Sequence, residues 1–186
     1  MPDPVLYDAV TLRHFAVVSR LDLIRSCHDS HDEPRWTEAV KSEIEASALR
    51  GHGECASILS FSWLGEALAP EAEDQKAIQL LRIRLSDAGD SGDEMQAKRH
   101  LGEAESIHLA KRYGFYFYTD DNDAHRVAGS YLGGHRVHDS VDLLRFVVAN
   151  GDIDVAGAAE VANRIRMTDR SLRREYERLL VAGDFA

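Results

Sequence analysis

The segment FYFYTDD, Phe115 to Asp121, constrains this chain more than any other stretch. Four aromatic residues follow one another with no polar alternation, so a strand here needs cover on both faces. Strands of that kind belong to parallel sheets, whose crossover helices lie against both sides. Such a strand therefore demands partners and amphipathic helices elsewhere, and the sequence supplies candidates for each.

VLYDA (Val5 to Ala9) reads as a second buried strand that ends in an acid, and HRVH (His135 to His138) reads as a third. FSWLGEALAP reads as an edge strand closed by Pro70. Between them lie segments with helical spacing. TLRHFAVVSRLDLIRSC breaks near Ser19 into two short helices, and WTEAVKSEIEASALR starts at a Thr37 cap with Val40, Ile44 and Leu49 near the 3.6-residue period. DQKAIQLLRIRLSDAG predicts a helix to Gly89, and LGEAESIHLAKRYG one that Gly114 stops. Further helices are expected over Ala124–Leu132 and over SVDLLRFVVAN before Gly151, then in two terminal stretches, the second from a Thr168 cap. HDSHDEPR and DSGDEMQAKRH read as loops. Strands alternating with helices predict an α/β fold. The expected form is a three-layer α/β/α sandwich with a mostly parallel central sheet over residues 1–151. Residues 152–186 are expected as a helical extension packed on that domain.

The 186 residues suffice for one real core, and 44% hydrophobic with 29% charged residues is the balance of a folded, soluble protein. No apolar run reaches the roughly 18 residues of a membrane span, and MPDPVLYDAV lacks the basic start and apolar centre of a secretory signal. Cys27 and Cys55 form no CxxC pattern and read as reduced thiols, so the expected compartment is the cytoplasm. The net charge of −10 argues against simple electrostatic adhesion to nucleic acid. Arginine is nevertheless concentrated near the end, at Arg164, Arg166, Arg170, Arg173, Arg174 and Arg178.

The acids fall at informative places. Asp8 closes the first strand, while Asp120 and Asp121 close the aromatic one, and open parallel sheets bind ligands beyond those ends. Glu43, Glu103 and Glu105 lie on helices able to line the same crevice. Carboxylates that converge without compensating cations call for a hard divalent ion, which prefers oxygen ligands. Each acid alone also has a plainer reading, as a turn former, helix cap or solvated helix face. An EF-hand is excluded, because counting from Asp121 the required Gly and Glu positions hold Arg126 and Leu132. A DxDxT phosphatase strand end is excluded by Val10. His100, His125, His135 and His138 match no tight zinc spacing.

Taken in order, these pieces resemble the PIN-domain family, metal-dependent nucleases that include the VapC-type toxins of bacterial toxin–antitoxin pairs. VLYDAVTLRHFA resembles the family's opening strand and helix, with Asp8 as the first acid. EAVKSEI matches the second motif through Glu43, and LGEAESIHLA is similar to the glycine–acid motif GEAEAIALA of one subfamily, with Glu103 as the third acid. TDDNDA resembles TxDxDF, which puts Asp121 at the fourth acid and Asp123 at an optional fifth. GGHRVHDSVDLL is like the following strand and helix, with Ser140 where Thr or Ser is usual. Val10 stands where the family carries Ser or Thr, Arg13 and His14 are more polar than its usual run, and Ala124 replaces an aromatic.

The resemblance implies an endoribonuclease dependent on Mg²⁺ or Mn²⁺. It implies metal binding by Asp8, Glu103 and Asp121, and a second ion or water positioning by Glu43. Asp120, Asp123, Glu105 and Ser140 would support that set. Arg13, Lys98, Arg99 and Arg126, with Lys111 and Arg112, are candidate contacts to RNA phosphates. Expected partners are RNA, a small antitoxin and a second copy of the chain, with no membrane. Asp74 to Leu85 and the arginine-rich tail are candidate partner surfaces. The alternative function is a catalytically weak PIN-like protein-binding or regulatory module.

Overall fold

The computed structural model describes residues 4–28, 36–87, 100–168, 172 and 180–185. It is a mixed α/β structure in which a small parallel sheet carries many helices. Strand β1 (Val5–Tyr7) pairs with β2 (Tyr116–Tyr118), and β2 pairs with β3 (Val137–His138), in the order β1-β2-β3. The register sets Tyr7 beside Tyr118 and His138 beside Tyr118, so all three strands end level.

Nine helices occupy the described residues: α1 (Ala9–Val17), α2 (Leu21–Ser26), α3 (Glu38–Leu49), α4 (Gly53–Leu59), α5 (Gln75–Asp87), α6 (Leu101–Tyr113), α7 (Asn122–Leu132), α8 (Ser140–Ala149) and α9 (Val155–Arg166). Their ends follow local chemistry. The Thr37 hydroxyl accepts from Val40 N and caps α3. Gly114, at φ 80°, closes α6 with its N–H on the Ala110 carbonyl, a left-handed conformation that glycine adopts without a Cβ clash. Asp139 and Asp142 form a reciprocal capping box at the start of α8.

Alternate residues of the strands enter two separate cores, as the period of two requires. Val5, Tyr7 and Tyr118 pack with Leu12 and Phe15 of α1, Ile24 of α2, Ile44 of α3 and Leu144 of α8. Leu6, Phe117 and Val137 pack with Ile78 and Leu81 of α5, Ile107 of α6 and Val127 of α7. The aromatic run at 115–118 is thus covered on both faces. Ala158, Val161, Ala162 and Ile165 of α9 join the first core, as do Leu172, Leu180 and Phe185. Asn163 fastens the terminal segment by accepting from Leu180 N at 3.0 Å and donating to its carbonyl at 2.8 Å.

The expected edge strand in FSWLGEALAP is not a strand. Ser62–Leu64 is a 3-10 turn, and Gly65 follows at φ 70°. Pairing is confined to one parallel bridge between Thr37 and Leu68, in which Leu68 N donates to Trp36 O and Glu38 N to Leu68 O. The reversal at Gly65, where the carbonyl accepts from the Trp36 indole, leaves no extended run to pair. Two of the aspartates read as closing strands open helices: Asp8 caps α1 just after β1, and Asp121 caps α7, which begins at Asn122, two residues earlier than expected. Most of DSGDEMQAKRH, most of HDSHDEPR and most of the stretch expected as a helix from Thr168 lie outside the described residues. No helix among the described residues is long and apolar enough to cross a membrane.

Candidate functional site

The level strand ends create the site. Asp8 is held by the sheet itself, its N–H donating to the Tyr118 carbonyl at 3.1 Å. Its Oδ1 accepts from Thr11 N at 2.7 Å and so caps α1. Its Oδ2 accepts the Thr119 hydroxyl proton. That hydroxyl also accepts from Asp121 N at 3.1 Å, so one threonine joins the first acid to the backbone of the fourth. Asp121 in turn caps α7 through Ala124 N at 2.7 Å.

Both aspartates therefore satisfy the plain reading, as helix caps, and capping alone would favour their charge. At Asp8 it does not prevail. Burial pushes its carboxyl well above the ordinary value, against the bonds from Thr119 and Thr11, and the negative charges of Asp120 and Glu103 add to the rise.

Glu103 reaches the same region from the first turn of α6. Burial, followed by the fields of Glu43 and Asp121, pushes its carboxyl up to about 7. Among the described residues its ion-pair partner is His100, 3.9 Å from Nδ1 to Oε1. The neighbouring glycine explains how α6 comes so close to α3. A Cβ at Gly102 would lie 3.3 Å from Val40 Cγ2 and 3.6 Å from Glu43 Oε2. Glu43 reaches solvent, yet enough protein surrounds its carboxyl that burial raises it, while Arg13 and Arg50 counter that rise. The four acids Asp8, Glu43, Glu103 and Asp121 thus come from four separate elements and act on one another through their fields.

The supporting acids divide. Asp120 points into the protein behind Asp8, with side-chain exposure of 1%. Its Oδ1 accepts from Ser140 N at 3.2 Å, and its Oδ2 accepts from the Ser140 hydroxyl, from Thr11 Oγ1 at 3.3 Å and from His14 Nδ1 at 3.1 Å. Burial raises this carboxyl, but the charge of His14 and the bonds from His14 and Ser140 outweigh it and hold it below the ordinary range. Glu105 turns away from the other acids. It accepts from Ala39 N at 3.0 Å and bonds Thr37, fixing the start of α3, and burial raises its carboxyl. Asp123 lies at the surface in a 3.5 Å pair with Arg126.

Among the basic candidates, Lys98 and Arg99 lie outside the described residues. Lys111 donates to the Tyr131 carbonyl, and Arg112 is surrounded by Glu71, Glu73 and Asp74. Arg13 pairs with Glu54 at 3.1 Å. Tyr7 and Tyr118 are buried, and Tyr116 packs on His138.

Glu54 escaped the reading of the sequence, while Thr119 and Gly102 entered it only as parts of the TDDNDA and LGEAESIHLA motifs and Thr11 only as the residue after Val10. His14 did offer a signal, since a histidine interrupts an apolar helix there. The acids are hard-oxygen donors in excess of nearby cations, the donor chemistry that suits Mg²⁺ or Mn²⁺. Their spacing is more open: among the described residues, no three His, Cys, Asp or Glu side chains converge closely enough to hold an ion. Comparison with known protein families, curated proteins and solved structures gives no match to this chain.

Proposed function

We propose that the protein is a Mg²⁺- or Mn²⁺-dependent endoribonuclease on a PIN-like, three-layer α/β/α fold. The observation that carries this reading is the half-buried Glu103, its proton affinity raised by burial and by Glu43 and Asp121, and its charge felt at Asp8. Like charges held together at strand and helix ends raise one another's proton affinity, and a divalent cation removes that penalty.

Asp8, Glu103 and Asp121 would hold the ion only by closing in from the open spacing they have here. When bound, it supplies acidification of the attacking water and a counter-charge on the phosphoryl oxygen. Glu43, the most exposed of the four, would orient that water and take its proton as general base. The water oxygen would bond to phosphorus while the bond to the leaving 3′-oxygen breaks, and that oxygen would take a proton from solvent. Thr119 keeps Asp8 and Asp121 in register, and Asp120, tied to His14 and Ser140, backs Asp8 from within. A toxin role with a small antitoxin, and a homodimer, follow from the same resemblance.

A second reading, a PIN-like binding module without turnover, is favoured by the open spacing of the acids and by the full engagement of Asp8 with Thr11 and Thr119. Calorimetric titration with Mn²⁺, on wild type and Asp8→Asn, separates the two. The nuclease reading expects saturable binding that the variant loses, together with metal-dependent cleavage of single-stranded RNA. Absence of binding to wild type would leave the module reading in its place.

A further inference from the structure

We propose that the outer face of α5 is a docking surface for an acidic amphipathic helix of a partner protein, a role that stands apart from the nuclease reading. α5 carries apolar residues on two opposite sides. Ile78, Leu81 and Leu85 pack inward, whereas Leu80 and Ile83 stand in solvent at 55% and 47% exposure. Among the exposed large hydrophobic side chains of the described residues, only these two lie one turn apart on a single helix. Single apolar side chains are ordinary on a protein surface, but a pair set opposite the buried stripe makes a second stripe.

The charge beside that pair is of one sign. Lys76 and Arg84 are exposed and, by the 3.6-residue period, fall on the stripe of Leu80 and Ile83. Among the described residues neither enters an ion pair. The acids that precede the helix are already taken, since Arg112 of α6 holds Glu71, Glu73 and Asp74 at 3.0, 3.0 and 2.6 Å. α5 itself has three cations, Lys76, Arg82 and Arg84, against a single acid at its last position, Asp87. In a chain of charge −10 this is a local inversion of sign. Salt screens distant charges beyond about 8–10 Å, so a partner in contact with α5 meets the local cations.

Those features select the occupant. An acidic helix with leucines one turn apart would lay an apolar pair against Leu80 and Ile83. Its flanking carboxylates would answer Lys76 and Arg84, about 12 Å apart along the axis of α5. A second copy docked through the same face sets two surpluses of positive charge against each other. A nucleic-acid strand would answer the cations but leave the apolar pair in water.

The test is fluorescence anisotropy with a labelled synthetic helix of about 20 residues, leucine at heptad positions a and d and glutamate at e and g. A matched helix with lysine in place of glutamate is the control. Wild type, Leu80→Ser/Ile83→Ser and Lys76→Glu/Arg84→Glu are compared, each first shown to melt cooperatively. Wild type binds the glutamate helix saturably, more weakly as salt rises, and does not bind the lysine helix. Leu80→Ser/Ile83→Ser weakens that binding about tenfold through lost apolar contact. Lys76→Glu/Arg84→Glu weakens it about tenfold and gains binding of the lysine helix, because reversed charge reverses the preference. No saturable binding of the glutamate helix by wild type, or equal affinity in all three proteins, overturns the proposal. A dimer in sedimentation equilibrium that Leu80→Ser/Ile83→Ser dissociates also overturns it, since a second copy would then cover the face. Binding to phosphatidylglycerol vesicles that the same variant abolishes would make α5 a lipid-facing helix and overturn it too.

Discussion

His14 Nδ1 lies 3.1 Å from Asp120 Oδ2, with both side chains at 1% exposure. A polar residue in an apolar helix and an additional acid at a strand end, 106 positions apart, answer each other. Removing His14 alone strands the buried Asp120 carboxylate, whereas replacing both residues does not. His14→Leu should therefore cost about 3–5 kcal/mol in urea unfolding, and His14→Leu/Asp120→Asn markedly less. Equal losses in the single and double variants would show that packing, not charge, sets the requirement for His14.

Glu103 gives a pH signature. Its folded value is raised from an ordinary 4.5 to about 7, so its ionised form costs stability at every pH above that range. In chelator, wild-type stability should rise as pH falls from 8 through 7 towards 5. Glu103→Gln should be the more stable protein at pH 8, by roughly 1–3 kcal/mol, and should lose most of that advantage at pH 5. Denaturation at the two pH values checks this. A wild type that outlasts the variant at pH 8 contradicts it.

Thr119 joins two acids through one hydroxyl. Thr119→Val keeps the shape and deletes both bonds, leaving Asp8 Oδ2 and Asp121 N to find other partners. The expected loss is about 1–3 kcal/mol, with Thr119→Ser recovering most of it. Thermal unfolding of the three proteins decides the matter.

Gly102 is a question of room. Alanine brings a favourable helix propensity of about 1 kcal/mol and a Cβ only 3.3 Å from Val40 Cγ2, so Gly102→Ala should be near neutral. Gly102→Val should cost about 1–3 kcal/mol through crowding of α3 and α6. Trimming the neighbour in Gly102→Val/Val40→Ala should return part of that loss, as unfolding midpoints will show.

The sequence made the central strand legible because Phe115–Tyr118 has no alternation, and burial on both faces follows from that alone. Asp8 and Asp121 were legible for a related reason, since a carboxylate just after a buried run must be either a cap or a ligand. In the structure both are caps at the ends of level strands. The pairing of His14 with Asp120 was not legible, because it depends on which face of α1 meets the end of β2. Glu105 misled through proximity: two positions from Glu103 on a helix, it necessarily points elsewhere, and here it meets α3. The supposed edge strand failed at Gly65, whose positive φ turns the chain where extension was expected.

Asp8 and its partner Thr119 are separated by 111 positions, and β1 has no neighbour in the sheet until β2 exists. At about 5–20 residues per second, a ribosome needs on the order of 5–20 seconds to supply that neighbour. A chain released before Thr119 would carry Asp8, Glu43 and Glu103 with nothing to bring them level, so an interrupted message yields no half-made site. Assembly waits for residue 119 of the 186, and the strand order itself acts as the timer.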